Sequence, residues 1–182
     1  MDTSQKIIEA SIEVFTEKGY LGSSTKEIAK TADVAEMTLF RKFQSKQNLF
    51  ETMIKVTLEH ELSEVLDLNF DLSLHDFVER LLHNRLTSVS KNIHLIRMII
   101  QESIQGRIPE NLNYISQISK KIKETLHRYH RIHDEHSDTS LGLVISGLLL
   151  QYAVMTPEIH YHTLSEKNQK KYLERLMSQI RL

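Results

Sequence analysis

Cysteine is absent from the 182 residues, which removes disulfides, thiolate metal ligands and a cysteine nucleophile together and fits a reducing compartment. Glycine is scarce, with five scattered residues, and neither a Gly-rich phosphate loop nor a nucleophile elbow is present. A dominant charge is missing too: the formal net is −1, so net charge alone points to no polyanionic partner. No stretch alternates with the two-residue period of a half-buried strand, and no segment repeats. The apolar run TSLGLVISGLLLQYAVM is too short to span a bilayer and has no positive flanks, so no membrane partner is expected. The first residues, MDTSQKIIEA, hold neither a basic leader nor a continuous apolar segment, and the cytoplasm is the default expectation. What remains is a globular, all-α chain whose 40% apolar residues are ample for a buried core.

The most informative stretch is STKEIAKTADVAEMTLFRKFQSK, Ser24 to Lys46. Ser24 with Glu27 forms a capping-box start, the hydroxyl taking one orphan N–H and the carboxylate folding back on the cap. Ile28, Ala29 and Ala32 give the helix that follows an apolar face, and Ala29 is small enough for a second helix to cross closely. That second helix spans Glu36 to Lys42, with Leu39 and Phe43 turned inward. Asp33 lies between the two, where a helix-turn-helix usually has Gly at positive φ; Asp is among the few other residues that visit that region cheaply. Glu36, Met37, Thr38, Arg41 and Lys42 are thereby left on the outer, N-terminal part of the second helix, where a recognition helix presents side chains to a major groove.

The first fifty residues resemble the TetR (tetracycline-repressor) family of bacterial regulators. The likeness lies in an amphipathic helix ending in FTEKGY, then SSTKEIAKTADV, then TLFRKFQSKQNLF. Asp33 replaces the usual Gly, Ala35 a usual Ser-type cap, and Phe40 a frequent Tyr, so a phenolic bond to phosphate is lost at that position. The resemblance implies a three-helix DNA-binding domain over residues 1–46, and a larger helical bundle for ligand binding and dimerisation over 47–182, with about nine helices in all. Carried over residue by residue, Thr25, Lys26, Phe40 and Lys46 would contact backbone, and Glu36, Met37, Thr38, Arg41 and Lys42 bases or nearby phosphates. The implied function is a homodimeric, ligand-responsive, sequence-specific repressor acting on an approximately palindromic operator in double-stranded DNA. No catalysis, cofactor or metal is expected.

Charge distribution agrees with that orientation. Through residue 46, Lys6, Lys18, Lys26, Lys30, Arg41, Lys42 and Lys46 balance Asp2, Glu9, Glu13, Glu17, Glu27, Asp33 and Glu36, but the two signs are segregated. Glu9, Glu13 and Glu17 share one face of the first helix, while the bases from Lys26 onward cluster on the motif that would face phosphate. Solvated faces of an ordinary helical domain would look the same.

In chain order, residues 3–18 read as an amphipathic helix carrying Ile8, Ile12 and Phe15, flanked by Ile7 and Val14 and ended by Gly19. Tyr20 and Leu21 are expected to close the side of the small domain. Ser45 caps a long helix with Lys46 in its first turn, a poor place for a cation unless an anion is held there. That helix continues through Leu49, Phe50, Met53, Ile54, Leu58, Leu62, Val65 and Leu66. Ser73 with Asp76 caps another helix, Leu72 and Phe77 forming its staple, and that helix carries Phe77, Val78, Leu81, Leu82, Leu86 and Val89. IHLIRMIIQESI is apolar nearly all round and ends at Gly106. Pro109 is expected as the first residue of the next helix. Asp138 or Thr139 opens the apolar run, Pro157 stops it, and the last helix starts at Ser165. These last two helices are the expected dimer interface.

For the effector, Phe77, Leu81, Met98, Tyr114, Ile118 and Leu149 are the candidate lining residues; their apolar bulk, flexible Met and single phenol suit a small lipophilic or aromatic molecule. Two other functions fit parts of the sequence. Asp33, Ala35 and Phe40 would suit a helical dimer that binds ligands or proteins but no DNA. His127, His130, His133 and His136, together with His160 and His162, bring a metal-dependent helical hydrolase to mind. Yet side chains three apart step about 60° backward around a helix, so four cannot converge on one ion.

Overall fold

The computed structural model describes residues 2–63, 68–134, 139–155 and 159–180. Val65, Leu66, His136, Asp138 and Pro157, on which some of the expectations above fell, lie outside them. Among the described residues are nine α-helices, two 3-10 turns and no strand: α1 Thr3–Gly22, α2 Thr25–Thr31, α3 Glu36–Phe43, α4 Lys46–Ser63, α5 Leu74–Lys91, α6 Ile93–Ile104, α7 Tyr114–Ile132, α8 Thr139–Met155 and α9 Glu166–Met177. None of these helices is long and apolar enough to cross a membrane. The chain divides into two compact units, Met1–Glu59 with Arg97–Tyr114, and His60–Ile96 with Ile115–Leu182.

In the first unit the core is built from Ile7, Val14, Phe15, Ile28, Leu39, Leu49, Phe50 and Ile54, all buried. Phe15 meets Phe50 edge-on with ring centroids 4.9 Å apart, and Tyr20 packs on Phe50 at 4.8 Å. Truncating Phe15 to Ala would remove a fully buried ring at a cost of about 3–5 kcal/mol. The buried stripe of α1 is rotated from the expected one: Ser11 is buried and donates to the Ile8 carbonyl at 2.7 Å, while Ile12 is only half-buried. Gly19, at φ 68°, breaks the helical path inside α1. Leu21 does not close the domain as expected, being 71% exposed. The chain beyond Gly19 is set instead by Glu102, a buried α6 carboxylate that accepts the Tyr20 N–H at 3.2 Å and pairs with Arg107. Gly106 follows α6 at φ 71°. Pro109 does not start α7. It precedes the 3-10 turn Glu110–Leu112, and Asn113, in an extended conformation, separates that turn from α7.

In the second unit, α5 buries Phe77, Val78, Leu81, Leu82, Leu86 and Val89, the stripe its sequence specifies. Ser73 accepts the Asp76 N–H at 3.2 Å and donates to its carboxylate at 2.8 Å. On the same stripe lies Arg85, fully buried, which donates to the Glu61 carbonyl at 2.6 Å and to its carboxylate at 2.9 Å. Ser88 and Asn92 also donate to that carboxylate, at 2.8 and 2.9 Å. Gly142 lets α8 approach α7, since a Cβ there would lie 3.0 Å from Lys123. Tyr161, fully buried, pairs with His83 at 2.8 Å and seats the turn Tyr161–Thr163 on α5.

Candidate nucleic-acid interface

Local chemistry positions the helix pair. Ser24, in extended backbone, accepts the Glu27 N–H at 3.2 Å, which starts α2. Only half of the capping box forms, because the Glu27 carboxylate pairs with the Lys18 ammonium. Asp33 takes φ 53°, the left-handed turn that the missing glycine would have made, and the Val34 N–H then reaches the Ala29 carbonyl at 3.0 Å. α3 starts at Ala35 without a side-chain cap. A cross-helix bond ties its first turn down instead: the Thr25 hydroxyl of α2 donates to Glu36 at 2.7 Å. Leu39 and Phe43 face the core, which turns the opposite side of α3 to solvent.

All nine residues expected at DNA lie in the first unit, on α2, α3 and the first residue of α4. Lys26 and Arg41 are exposed, Met37 is 78% and Phe40 41% exposed, and Thr25, Glu36 and Thr38 are half-buried. The Lys42 ammonium donates to Ser4 at 2.9 Å and lies 3.9 Å from Asp2, the residue that caps α1. Lys46 donates to the Ser23 carbonyl at 2.6 Å and sits 4.5 Å from the Tyr20 ring centroid; burial pushes its ammonium below the usual lysine range. Ser45 accepts the Asn48 N–H at 3.0 Å and so caps α4. The solvent side of the helix pair thus presents Lys26 and Arg41 together with the apolar side chains of Met37 and Phe40. Sequence reasoning missed the supports of this face, Ser4, Ser23 and Glu102. No local pattern marks them, because each acts on a residue remote in sequence.

The six candidate effector residues are all buried: Met98 and Tyr114 in the first unit, Phe77, Leu81, Ile118 and Leu149 in the second. None of them lines the cleft of about 580 Å3 in the second unit, which is bordered by Leu72, Asp76, Glu79, Arg80, His83, Glu166, Gln169, Lys170 and Leu173. The histidines in and just after α7 diverge as their spacing requires: His130 is buried, His127 is exposed, and His133 donates to the Phe70 carbonyl at 2.7 Å. A grouping the sequence did not suggest is His75, Asp76 and Glu79, with ligand atoms within 4.8 Å of one another. It sits at the start of α5, where Asp76 is engaged by Ser73, a bond that holds its carboxyl below the usual range.

Comparison with known proteins bears on this face directly. Residues 7–53 match the model of bacterial regulatory proteins of the tetR family. The uncharacterized HTH-type transcriptional regulator YvkB of Bacillus subtilis is 42% identical over 52 residues, 29% of this chain and 28% of that protein. The negative regulator of the biofilm operon icaADBC, IcaR of Staphylococcus aureus, is 28% identical over 125 residues, 64% of this chain and 66% of that protein. The matches thus span under a third of the first relative and just under two thirds of the second. Among solved structures, a tetR-family regulatory protein from Rhodococcus RHA1 aligns with a TM-score of 0.74 at 19% identity, over 99% of this chain and 97% of its own. Salmonella enterica GusR aligns at 0.73 and 20% identity, over 97% and 92%. These structures share the fold.

Proposed function

We propose that this chain, a TetR-family transcriptional regulator by its residues 7–53, is a homodimeric repressor that binds an approximately palindromic operator and is released by a small molecule. The observation that carries the DNA-binding part is the solvent face of α3: the turn at Asp33 is built, the helix is anchored by Leu39 and Phe43, and Met37 and Arg41 point away from the core. Thr25, Lys26, Phe40 and Lys46 are assigned to the DNA backbone, Glu36, Met37, Thr38, Arg41 and Lys42 to bases or adjoining phosphates. Lys46 has three N–H donors and spends one on Ser23, which leaves others for a phosphate. Functionally the chain divides into 1–46 for DNA and 47–182 for effector binding and dimerisation.

Dimerisation is assigned to α8 and α9. α8 leaves Leu143, Val144, Val154 and Met155 exposed on its outer side, and nothing lies within 4 Å of a Cβ built at Gly147 on that helix, so a second copy can come close. The effector is a lipophilic or aromatic molecule of low charge, assigned to Phe77, Leu81, Ile118 and Leu149, the four candidate residues that the second unit buries. It lowers DNA affinity by preferring a state with misplaced recognition helices, a coupling of typically ~1–3 kcal/mol. Selection from random duplexes followed by anisotropy titration tests the proposal. An enriched inverted repeat, with half-sites about one helical turn or a multiple apart, is expected; a pool with no enriched sequence overturns it.

A further inference from the structure

We infer that Met37 reads the C5-methyl group of a pyrimidine, thymine in ordinary DNA, in each operator half-site; this rests on the DNA-binding role proposed above. Of the five α3 side chains assigned to bases, two polar ones are already engaged within the protein. The Glu36 carboxylate accepts the Thr25 hydroxyl at 2.7 Å, which diverts it from the exocyclic amine of cytosine. The Lys42 ammonium is held by Ser4 at 2.9 Å with Asp2 close by. Thr38 is half-buried, while Arg41 is exposed.

Met37 is 78% exposed in the first turn of α3, with Phe40 41% exposed three residues on. Positions three and four apart are neighbours on a helix surface, so Phe40 and Arg41 flank Met37 on one face. An unbranched thioether has no hydrogen to donate and adapts its shape to a small apolar knob. In a major groove the one apolar feature that distinguishes a base pair is the thymine methyl. Arg41 beside it is suited to the acceptors of a guanine or to a phosphate. The half-site should therefore place a thymine within reach of the N-terminal turn of α3.

Deoxyuridine tests this, because it pairs as thymine does and lacks only the methyl. Each thymine of the selected operator is replaced in turn, symmetrically in both half-sites, and affinity of the full-length protein is measured by anisotropy. One position should lose about fourfold per half-site, the factor for burying a single methyl group. Met37→Ala should bind the thymine operator more weakly and lose the distinction between thymine and deoxyuridine at that position alone, while Met37→Leu should keep it. Because Met37 is exposed, both variants should melt with the parent. A selected operator that shows no deoxyuridine-sensitive position, or a sensitivity unchanged in Met37→Ala, overturns the inference and leaves DNA binding intact. A failure to select any operator overturns both.

Discussion

Asp33 sits at φ 53°, a region that costs most L-residues roughly 1–2 kcal/mol and Asp rather less. Asp33→Gly should change stability by no more than about 0.5 kcal/mol, since relieved strain and added unfolded-chain entropy oppose each other. Asp33→Val, β-branched, should lose about 1–2 kcal/mol in chemical denaturation and weaken operator binding with it. Lys46 and Arg41 differ in a way that only their surroundings reveal. Lys46 joins α4 to the Ser23 carbonyl and the Tyr20 ring, whereas Arg41 is exposed on the outer side of α3. Lys46→Ala should therefore destabilise the fold by about 1–2 kcal/mol and lower the salt slope of DNA binding by about one. Arg41→Ala should leave the melting curve unchanged and cost ~1–3 kcal/mol of DNA affinity at particular base positions. If Arg41→Ala melts early, or binds the operator like the parent, the assignment of that face is wrong.

The helices themselves were largely legible, because amphipathic spacing and caps are local: α5 buries the stripe its sequence shows, and Ser24, Ser45 and Ser73 each accept the N–H three residues on. What was not legible came from partners far along the chain. Arg85 falls in an apolar stripe where a charge looks misplaced, and its two terminal nitrogens are paired with Glu61 of α4. Glu27 was expected to close its own cap and was taken by Lys18 instead. The Arg85 pair makes a prediction: Arg85→Met strands a buried carboxylate and should cost about 3–5 kcal/mol, and adding Glu61→Leu should recover most of it. The His83–Tyr161 contact makes another. Burial, with Arg80 next in effect, holds the His83 imidazole below its ordinary value of 6.5. Between the folded and unfolded values the unfolded chain binds the extra proton, so stability is full above about 6.5 and falls as pH drops through that value toward the folded one. His83→Gln should flatten this part of the pH–stability curve; an identical slope in parent and variant would contradict it.

At the scale of the whole molecule, the proposed repressor would need two recognition helices held at a fixed spacing, and α8 is the surface assigned above to the second copy. Its inner side packs Leu141, Ile145, Leu149 and Tyr152 into the second unit, yet Leu143, Val144, Val154 and Met155 remain in water. On α9, by contrast, Leu173, Leu176 and Met177 are buried, and Lys167, Lys171, Glu174 and Arg175 are exposed. A two-fold pairing of these helices would bury the α8 stripe at its centre and leave the α9 charges at the rim, the usual anatomy of an interface. Because the stripe is exposed within the protomer, charges placed on it should spare the fold while opposing association. Val144→Glu with Met155→Glu should therefore sediment as a monomer at micromolar concentration with unchanged helical circular dichroism. Each protomer would then meet its half-site alone, and affinity for the full operator should fall by about 10²–10⁴, the usual gain from linking two binding events. Affinity for an isolated half-site should stay at the parent's value. A double variant that still sediments as a dimer would move the interface off α8, and a monomer that holds the full operator as tightly as the parent would show that the two half-sites are not read together.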